Sequence, residues 1–340
     1  MSGQLLLLFL AAAVLTAGCV LALRPLLTRY ALTRPNARSS HHTPTPQGGG
    51  IAVIVATTIT VAGAVVLAPN DFDDLFHFAA VFASVIALAI VGVTDDIHPL
   101  EATPRLILQA FAVAIVLAAL PAELHIVPLM PWWVERALLF VAMIWFVNLV
   151  NFMDGIDWMT VAEVIPVTAA LAAFGLVGAL PWTAASVAFA LCGAMAAFAP
   201  FNRPVAQLFL GDVGSLPIGL LLGWLLILLA GGGHFAAALL LPLYYLADAT
   251  VTLLRRCANG ESIMTAHRSH FYQRAMDGGF TAYQIVTRVF AVNIALIGLA
   301  ALTLLNHSLT IQLIALIAGT AIVTALLWNF SHTPQLRSRI

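Results

Sequence analysis

Long runs of apolar residues alternate with short polar segments along the whole chain. Each run approaches the roughly 20 residues that an α-helix needs to cross the hydrocarbon core of a bilayer. Apolar and polar residues do not alternate within the runs, so the pattern predicts helices rather than the strands of a β-barrel. Breaks at proline, glycine and charged residues delimit eleven predicted spans: 4–23, 50–68, 75–93, 105–120, 136–150, 160–178, 182–199, 214–230, 235–254, 285–305 and 308–329.

Two of these runs depart from the pattern. The 136–150 run is short and the 160–178 run contains Glu163 and Pro166, so we expect either to tilt or to pack inside the bundle. The first run lacks the positive charge that precedes the apolar core of a signal peptide, and Arg24 follows it instead. We therefore predict a membrane anchor with its N-terminus outside.

The composition agrees with a membrane protein. Hydrophobic residues make up 62% of the 340 residues and charged residues only 9%, against about 25% charged residues in an average soluble domain. One core cannot bury so much apolar surface, which excludes a water-soluble fold. No repeat or linker divides the chain, so we predict an all-α fold, a single polytopic transmembrane helical bundle over residues 1–340. The three cysteines lie far apart, and neither a disulfide framework nor a zinc site is expected.

Arginine positions orient the bundle, because the chain has no lysine and positive residues are enriched in cytoplasmic loops. Thirteen of the fourteen arginines lie in alternate connections or in the tail after residue 330. The arginine-bearing connections are residues 24–49, 94–105, 199–213 and 255–288. We place these in the cytoplasm together with the polar segment 148–160, which puts the C-terminus inside and requires an odd number of spans, as eleven is.

Carboxylate and amide side chains concentrate on this inner side. They are Asp95, Asp96, Asn148, Asn151, Asp154, Asp157 and Asp212. Two carboxylates about 4 Å apart repel by roughly 4 kcal/mol at an effective dielectric constant near 20, and a diphosphate substrate would add negative charge. A divalent cation relieves this repulsion, and oxygen ligands without paired His or Cys suit Mg²⁺ or Mn²⁺. The alternative is a solvated acidic pair, with Asp212 capping a helix.

The inner segments also offer groups for phosphate. Residues 48–50 are three glycines that open a helix, whose N–H groups can bind an anion; the alternative is a basic loop that grips lipid headgroups. A positive cluster suited to phosphates comprises Arg255, Arg256, His267, Arg268, His270 and Arg274.

Four inner segments resemble the polyprenyl-phosphate N-acetylhexosamine-1-phosphate transferases. They are residues 91–96, 148–157, 209–219 and 267–274, in order along the chain. The resemblance extends from about residue 24 to residue 290. The 34–50 loop, the His-Arg-Ser-His run and the span count look more like the branch that initiates O-antigen synthesis than the peptidoglycan branch.

The resemblance implies transfer of N-acetylhexosamine 1-phosphate from a UDP-sugar to undecaprenyl or another polyprenyl phosphate, with release of UMP. The enzyme would lie in a bacterial cytoplasmic membrane, among lipids, with its site facing the cytoplasm. It would use Mg²⁺ and start a lipid-linked glycan. The predicted site comprises Asp95, Asp96, Asp154 and Asp157 as catalytic residues, Asp212 and Asn151 at the metal, and Arg38, Gly49, Asn148, Arg203, His267, Arg268 and His270 at the substrates.

Two positions depart from the family pattern. Trp158 stands where a second glycine often follows Asp157, which changes the expected shape of the nucleotide pocket. Gln47 stands where a basic residue often precedes the triple glycine, which removes one phosphate contact. Since a phosphate monoester is mostly dianionic at pH 7, we favour direct in-line attack, with Asp95 orienting lipid phosphate or metal, over a general base or an aspartyl intermediate.

An ion-coupled transporter is the main alternative. Asp248 and Glu163 lie in apolar stretches, where an acid costs roughly 3 kcal/mol. The acids converge on one face, however, and Asp248 is expected to support the site or to cap a neighbouring helix. A non-catalytic scaffold protein is a third interpretation. Only the absence of the carboxylates named above would favour it. The sequence leaves open which hexosamine and polyprenyl chain are used and whether the protein forms a homodimer; no nucleic-acid partner is expected.

Overall fold

The computed structural model describes residues 2–33, 44–68, 75–262 and 267–332 as an all-α bundle, as predicted. Its helices are α1 Ser2–Tyr30, α2 Gly49–Leu67, α3 Leu75–Ile97, α4 Ala102–Ala118, α5 Trp132–Met153, α6 Met159–Leu176, α7 Trp182–Phe198, α8 Asp212–Gly231, α9 Phe235–Leu240, α10 Leu243–Ala258, α11 Phe271–Asp277, α12 Ala282–Leu305 and α13 Leu309–Ser331. Strands β1 Leu32–Thr33 and β2 Thr45–Pro46 pair antiparallel in a short ribbon.

Each of the eleven predicted runs falls on helical structure, but not every run forms one long helix. Within the described residues, eight helices are long and apolar enough to cross a membrane, and α4 and α7 are shorter apolar helices. The run predicted at 235–254 is broken, so that prediction is wrong in detail. Helix α9 ends before Pro242, whose ring lacks an N–H donor, and α10 begins after it.

The polar connections are also more helical than predicted. Asn148 and Asn151 lie on the last two turns of α5 rather than in a loop, and Asp95 and Asp96 lie on the last turn of α3. The short helix α11 was not predicted, because seven residues between polar segments carry no clear helical period. The inner segments are therefore helix ends that point into one region.

Helix α8 is the centre of the bundle, and its apolar stretch is buried throughout. It packs against α2, α3, α5 and α9, while α1, α6 and α7 form an adjoining layer. Helix α6 is mostly buried despite Glu163 and Pro166, which confirms that the 160–178 run packs inside the bundle. The outward faces of α1 and α13 expose apolar side chains such as Val14 and Ile317, as a lipid-facing surface requires.

Glycine allows both α2 and α3 to approach the beginning of α8 closely. A Cβ at Gly92 would lie 2.4 Å from the carbonyl carbon and oxygen of Asp212. A Cβ at Gly50 would lie 2.3 Å from the Cα of Gly214. Since these neighbours are backbone atoms, no side-chain rotation can make room, and α8 can begin where it does only with glycine at both positions.

Replacing Gly92 with alanine is expected to force α3 away from α8. The cost of such overpacking is about 1–3 kcal/mol, which should appear as a lower Tm of the purified protein in detergent. Gly298→Ala on α12 is the matched control, because nothing lies within 4 Å of a Cβ there and alanine is the better helix former. Equal Tm values for the two variants would contradict this packing.

Candidate active site

The carboxylate of Asp96 joins the end of α3 to the beginning of α8. Its Oδ1 accepts a hydrogen bond from the backbone N–H of Asp212 at 2.9 Å, and its Oδ2 accepts one from the N–H of Val213 at 3.2 Å. Gln47 Nε2 donates to the same Oδ1 at 2.5 Å. Asp96 thus caps the positive end of α8, where a carboxylate is stabilised by unpaired N–H groups.

Asp95, the preceding residue, has a different set of partners. Its Oδ1 accepts from the Leu100 N–H at 2.6 Å, and its Oδ2 lies 2.9 Å from Arg105 Nη1. The same Arg105 nitrogen lies 3.6 Å from Asp212 Oδ2. One guanidinium nitrogen therefore contacts both carboxylates, and its positive charge offsets their repulsion.

Sequence reasoning did not single out Arg105. Arg105 was used only as one of the arginines that assign the connections to the cytoplasmic side. The signal that could have found it is that this connection holds one arginine, at the point where the next apolar run begins. A cation next to an acidic pair in a chain so poor in charge is a candidate partner for that pair.

Asp212 is the first residue of α8 and is held by α5. Asn151 Nδ2 donates to Asp212 Oδ1 at 2.8 Å and to Ser215 Oγ at 2.9 Å. Asn148, one turn earlier, donates to Gln109 Oε1 at 2.6 Å and ties α5 to α4. The structure thus brings together Asp95, Asp96, Asn151 and Asp212 and fixes the orientation of each.

The donors at Asp212 suit a magnesium ion even though they are few. Within the described residues there is no group of three or more His, Cys, Asp or Glu side chains that could hold a metal alone. Asp96 binds the first N–H groups of α8 with both oxygens, whereas Asp95 and Asp212 both contact the positive charge of Arg105, so these two carboxylates are the ones that would hold a cation. Mg²⁺ is commonly bound by one or two carboxylates and completed by water and substrate phosphates, so the residues fit such a site.

Asp154 and Asp157 follow α5 and have different surroundings. The Thr160 hydroxyl donates to Asp154 Oδ1. Burial, opposed by that hydrogen bond and reinforced by the negative charges of Asp96 and Asp157, raises the pKa of Asp154 to about 7. Asp157 is buried, and its Oδ2 accepts from the N–H of Ala206 at 2.9 Å, which ties the end of α5 to the 199–211 connection.

The three glycines at 48–50 serve packing rather than the predicted anion site. The Gly49 N–H donates to the Phe209 carbonyl, and the Gly50 N–H donates to the Leu210 carbonyl, both at 2.8 Å. These donors are occupied by the chain itself, so the substrate role predicted for Gly49 is corrected to a structural one. Arg203 is exposed on the connection that Gly49 and Gly50 hold. Arg38 lies outside the described residues.

The 267–274 segment is held by a buried acid. Asp248 accepts hydrogen bonds from the N–H groups of Phe271 and Tyr272 at 3.0 and 3.2 Å, and His270 Nδ1 lies 3.3 Å from its Oδ1. Asp248 therefore caps α11, which confirms the expectation that it caps a neighbouring helix. Glu163, the other acid cited for a transporter, accepts from Asn293 Nδ2 at 2.7 Å and so links α6 to α12.

Charges in this segment are more balanced than the sequence suggested. Burial and the neighbouring His270 and Arg256 side chains lower the pKa of His267 to about 4, so its imidazole is neutral at pH 7. Arg268 forms an ion pair with Asp277 at 3.1 Å. His267 can thus bind a substrate through a hydrogen bond, but it does not add the positive charge predicted for it.

A cleft of about 490 Å³ brings these groups together. Its polar end holds Arg105, Asn151, Asp212, His267 and His270. Its remaining wall is largely apolar and comes from α4, α5 and α10: Leu106, Val141, Ile144, Trp145, Phe152 and Leu253. The cleft is therefore amphiphilic, and the Asp212 carboxylate is part of its polar lining.

The chain is a polytopic helical membrane protein whose acids converge where α3 and α5 end and α8 begins. Residues 78–230, which contain these acids, match the family model described as glycosyl transferase family 4. This match, together with the relatives described next, agrees with the resemblance to polyprenyl-phosphate N-acetylhexosamine-1-phosphate transferases.

Curated relatives agree with the family model. A probable undecaprenyl-phosphate N-acetylglucosaminyl 1-phosphate transferase of Bacillus subtilis is 23% identical over 80% of this chain and 78% of its own length. A decaprenyl-phosphate N-acetylglucosaminephosphotransferase of Mycolicibacterium smegmatis is 27% identical over 95% of this chain and 87% of its own. A phospho-N-acetylmuramoyl-pentapeptide-transferase of Streptococcus agalactiae is 25% identical, but over 53% of this chain and 57% of its own.

Asp154→Asn is expected to change how stability depends on pH. The folded-state pKa of Asp154, about 7, exceeds its ordinary value of 3.8, so the folded protein binds this proton more tightly and loses stability as pH rises between those values. Asparagine is neutral at every pH. The Tm of the variant minus that of the wild type should therefore increase from about pH 5 to about pH 8. A difference that stays constant or shrinks over this range would contradict the buried, proton-bearing state of Asp154.

Proposed function

We propose that this protein transfers N-acetylhexosamine 1-phosphate, with N-acetylglucosamine as the preferred sugar, from its UDP-sugar to a polyprenyl phosphate. The observation that carries the proposal is the amphiphilic cleft, where an apolar wall leads to Arg105, Asp212 and Asn151. Both full-length relatives described above are named for N-acetylglucosamine and a polyprenyl phosphate, which supports this choice of donor and acceptor.

The acceptor lipid would enter along the apolar wall. Ile144 and Trp145 on α5, Leu253 on α10 and Leu106 on α4 all line the cleft, and Leu106 is the chain neighbour of Arg105. An isoprenoid chain is stabilised by contact with such side chains, while its phosphate is not. The phosphate would therefore stop at Arg105, whose guanidinium can donate two parallel hydrogen bonds to its oxygens.

The donor diphosphate would lie at the opposite side of the same acids. Asp212, with Asp95 beside it, would hold Mg²⁺, or Mn²⁺, together with phosphate oxygens of the donor. The ion supplies neutralisation of charge on the diphosphate. Asn151 holds Asp212 in place through its hydrogen bond, and both His267, which is neutral, and His270 line the cleft where the sugar nucleotide would lie.

The chemistry needs one bond to form and one to break. A lipid phosphate oxygen attacks the β-phosphorus of the UDP-sugar, and the bond from that phosphorus to the bridging oxygen breaks, so that UMP leaves with the electron pair. Since a phosphate monoester with a second pKa near 6 is already largely dianionic at pH 7, no base has to remove a proton. The protein's contribution is positioning and charge neutralisation, which dominate phosphoryl transfer. Asp95 acts here by orienting Arg105.

The site would face the cytoplasm of a bacterial cell. The arginine distribution supports this side, since Arg105, Arg203 and the arginines of 255–288 share it with the acids. The lipid-linked sugar diphosphate would then start a cell-envelope glycan, of which O-antigen is one candidate. No observation favours the transporter, because Asp248 and Glu163 both have partners within the bundle.

Purified protein incubated with undecaprenyl phosphate, Mg²⁺ and a panel of UDP-sugars is expected to release UMP, most rapidly with UDP-N-acetylglucosamine. Asp212→Asn should abolish release while the protein still inserts in the membrane, because the amide cannot neutralise a cation. Asp95→Asn should slow release greatly. Glu101→Gln, an exposed acid near Asp95, is the control and should leave release unchanged. No UMP from any UDP-N-acetylhexosamine would refute the function, and full turnover by Asp212→Asn would refute the metal assignment.

Arg105→Met is expected to lower kcat by about two orders of magnitude, as the loss of a preorganised donor at the reacting phosphate does. The variant removes a positive charge beside Asp95 and Asp212, so these carboxylates should bind Mg²⁺ more tightly and half-maximal release should need less Mg²⁺. Arg105→Lys keeps the charge without the planar fork and should fall between the two. Release of UMP at several Mg²⁺ concentrations measures both effects, and unaltered kcat in Arg105→Met would exclude Arg105 from the reaction.

A further inference from the structure

Trp158 has an unusual backbone conformation. Its φ is 62°, in the left-handed region, and within the described ranges it is the one residue other than glycine with positive φ. Bulky side chains rarely adopt this conformation, and it persists where surrounding contacts hold it. Trp158 also occupies the position where a glycine was expected, which would adopt this φ without strain. Contacts of the tryptophan must therefore maintain the conformation.

Those contacts reach a segment distant in the sequence. The Trp158 N–H donates to Asn202 Oδ1 at 2.8 Å, and its indole Nε1–H donates to the Ala199 carbonyl at 2.6 Å. The other side of the ring faces Tyr283 on α12, with the ring centroids 6.4 Å apart. Together with the bond from Ala206 to Asp157, three hydrogen bonds join residues 157 and 158 to the beginning of the 199–211 connection.

This connection leads directly to Asp212. Asn202, which accepts from Trp158, also donates through Nδ2 to the Leu208 carbonyl at 3.0 Å. The next two carbonyls, of Phe209 and Leu210, accept from the N–H groups that open α2, and Gly211 and Asp212 follow. Arg203 is exposed on the same segment. The contacts of Trp158 therefore constrain both an exposed cation and the approach to the metal-binding carboxylate.

We infer that Trp158 is a positioning residue for the nucleotide donor. Its hydrogen bonds to Ala199 and Asn202 hold the 199–208 segment, and with it Arg203, in the conformation that the donor binds. The inference rests on the proposed transferase function. Trp158 is thereby assigned to donor binding and not to the transfer step. The contacts of Trp158 reach Asp212 through the 199–208 segment and not through the acids of α3.

Hydrogen exchange in the purified membrane protein tests the structural half without any activity measurement. Trp158→Phe keeps an aromatic ring and removes the indole donor, so amides of Ala206, Gln207 and Leu208 should exchange about three- to tenfold faster, as the loss of one net hydrogen bond allows. Trp133→Phe, an exposed tryptophan on α5, is the control and should not change exchange there. Trp158→Gly relieves the backbone and should exchange at least as fast as Trp158→Phe. Unchanged exchange in Trp158→Phe, or slower exchange in Trp158→Gly than in the wild type, would overturn the inference.

Steady-state kinetics test the functional half. In Trp158→Phe the KM for UDP-N-acetylglucosamine should rise about three- to tenfold while kcat stays within about twofold. The variant weakens binding of the donor equally in the ground state and the transition state, and the groups that act on the transition state are unchanged. A fall in kcat with unchanged KM would refute the positioning role. If the wild type itself released no UMP, the transferase proposal would fail, whereas the exchange result would still decide whether Trp158 holds the segment.

Discussion

The contact between the Asp96 carboxylate and the first N–H groups of α8 determines the geometry of the whole site. An acid on the last turn of α3 is poorly placed with respect to its own helix, whose C-terminal end is negative. Placed against the positive end of α8, the same charge is stabilised by two backbone donors. Gly92 and Gly211 permit the approach, since a Cβ at Gly211 would lie 2.6 Å from Asp96 Oδ2. Asp95 and Asp212 face each other as a result, with Arg105 between them.

This arrangement separates two acids that are adjacent in the sequence. Asp96 has both oxygens engaged and supports structure, whereas Asp95 contacts Arg105, which lines the cleft. The same division recurs at the end of α5, where Asp157 bonds to Ala206 and Asp154 keeps a proton near neutral pH. In each pair one carboxylate accepts a backbone N–H from a distant segment, and the other contacts a side chain, Arg105 for Asp95 and Thr160 for Asp154.

The helices and the convergence of the acids were predictable. Helices that cross a bilayer need long apolar runs, and the positions of the arginines assign each connection to one side of the membrane. The partners of individual side chains were not. Nothing in the local sequence distinguishes Asp95 from Asp96, or shows that the N–H groups of Gly49 and Gly50 meet carbonyls from residues 209 and 210. Likewise the break at Pro242 and the role of Arg105 depend on packing between segments far apart in the chain. The site residues taken from resemblance therefore stay predictions, while the positions of those within the described residues are now defined.

The cleft has one further consequence, which follows from where its apolar wall lies. Val141 on α5 lines the cleft and is 66% exposed, and Val251 and Leu254 on α10 expose apolar faces beside it. For the proposed acceptor the approach is then two-dimensional, by lateral diffusion within one leaflet, while the water-soluble donor arrives from three dimensions. The enzyme would respond to the mole fraction of acceptor among the membrane lipids and not to its bulk concentration, so that the supply of acceptor and the expansion of the membrane act on the rate in opposite directions.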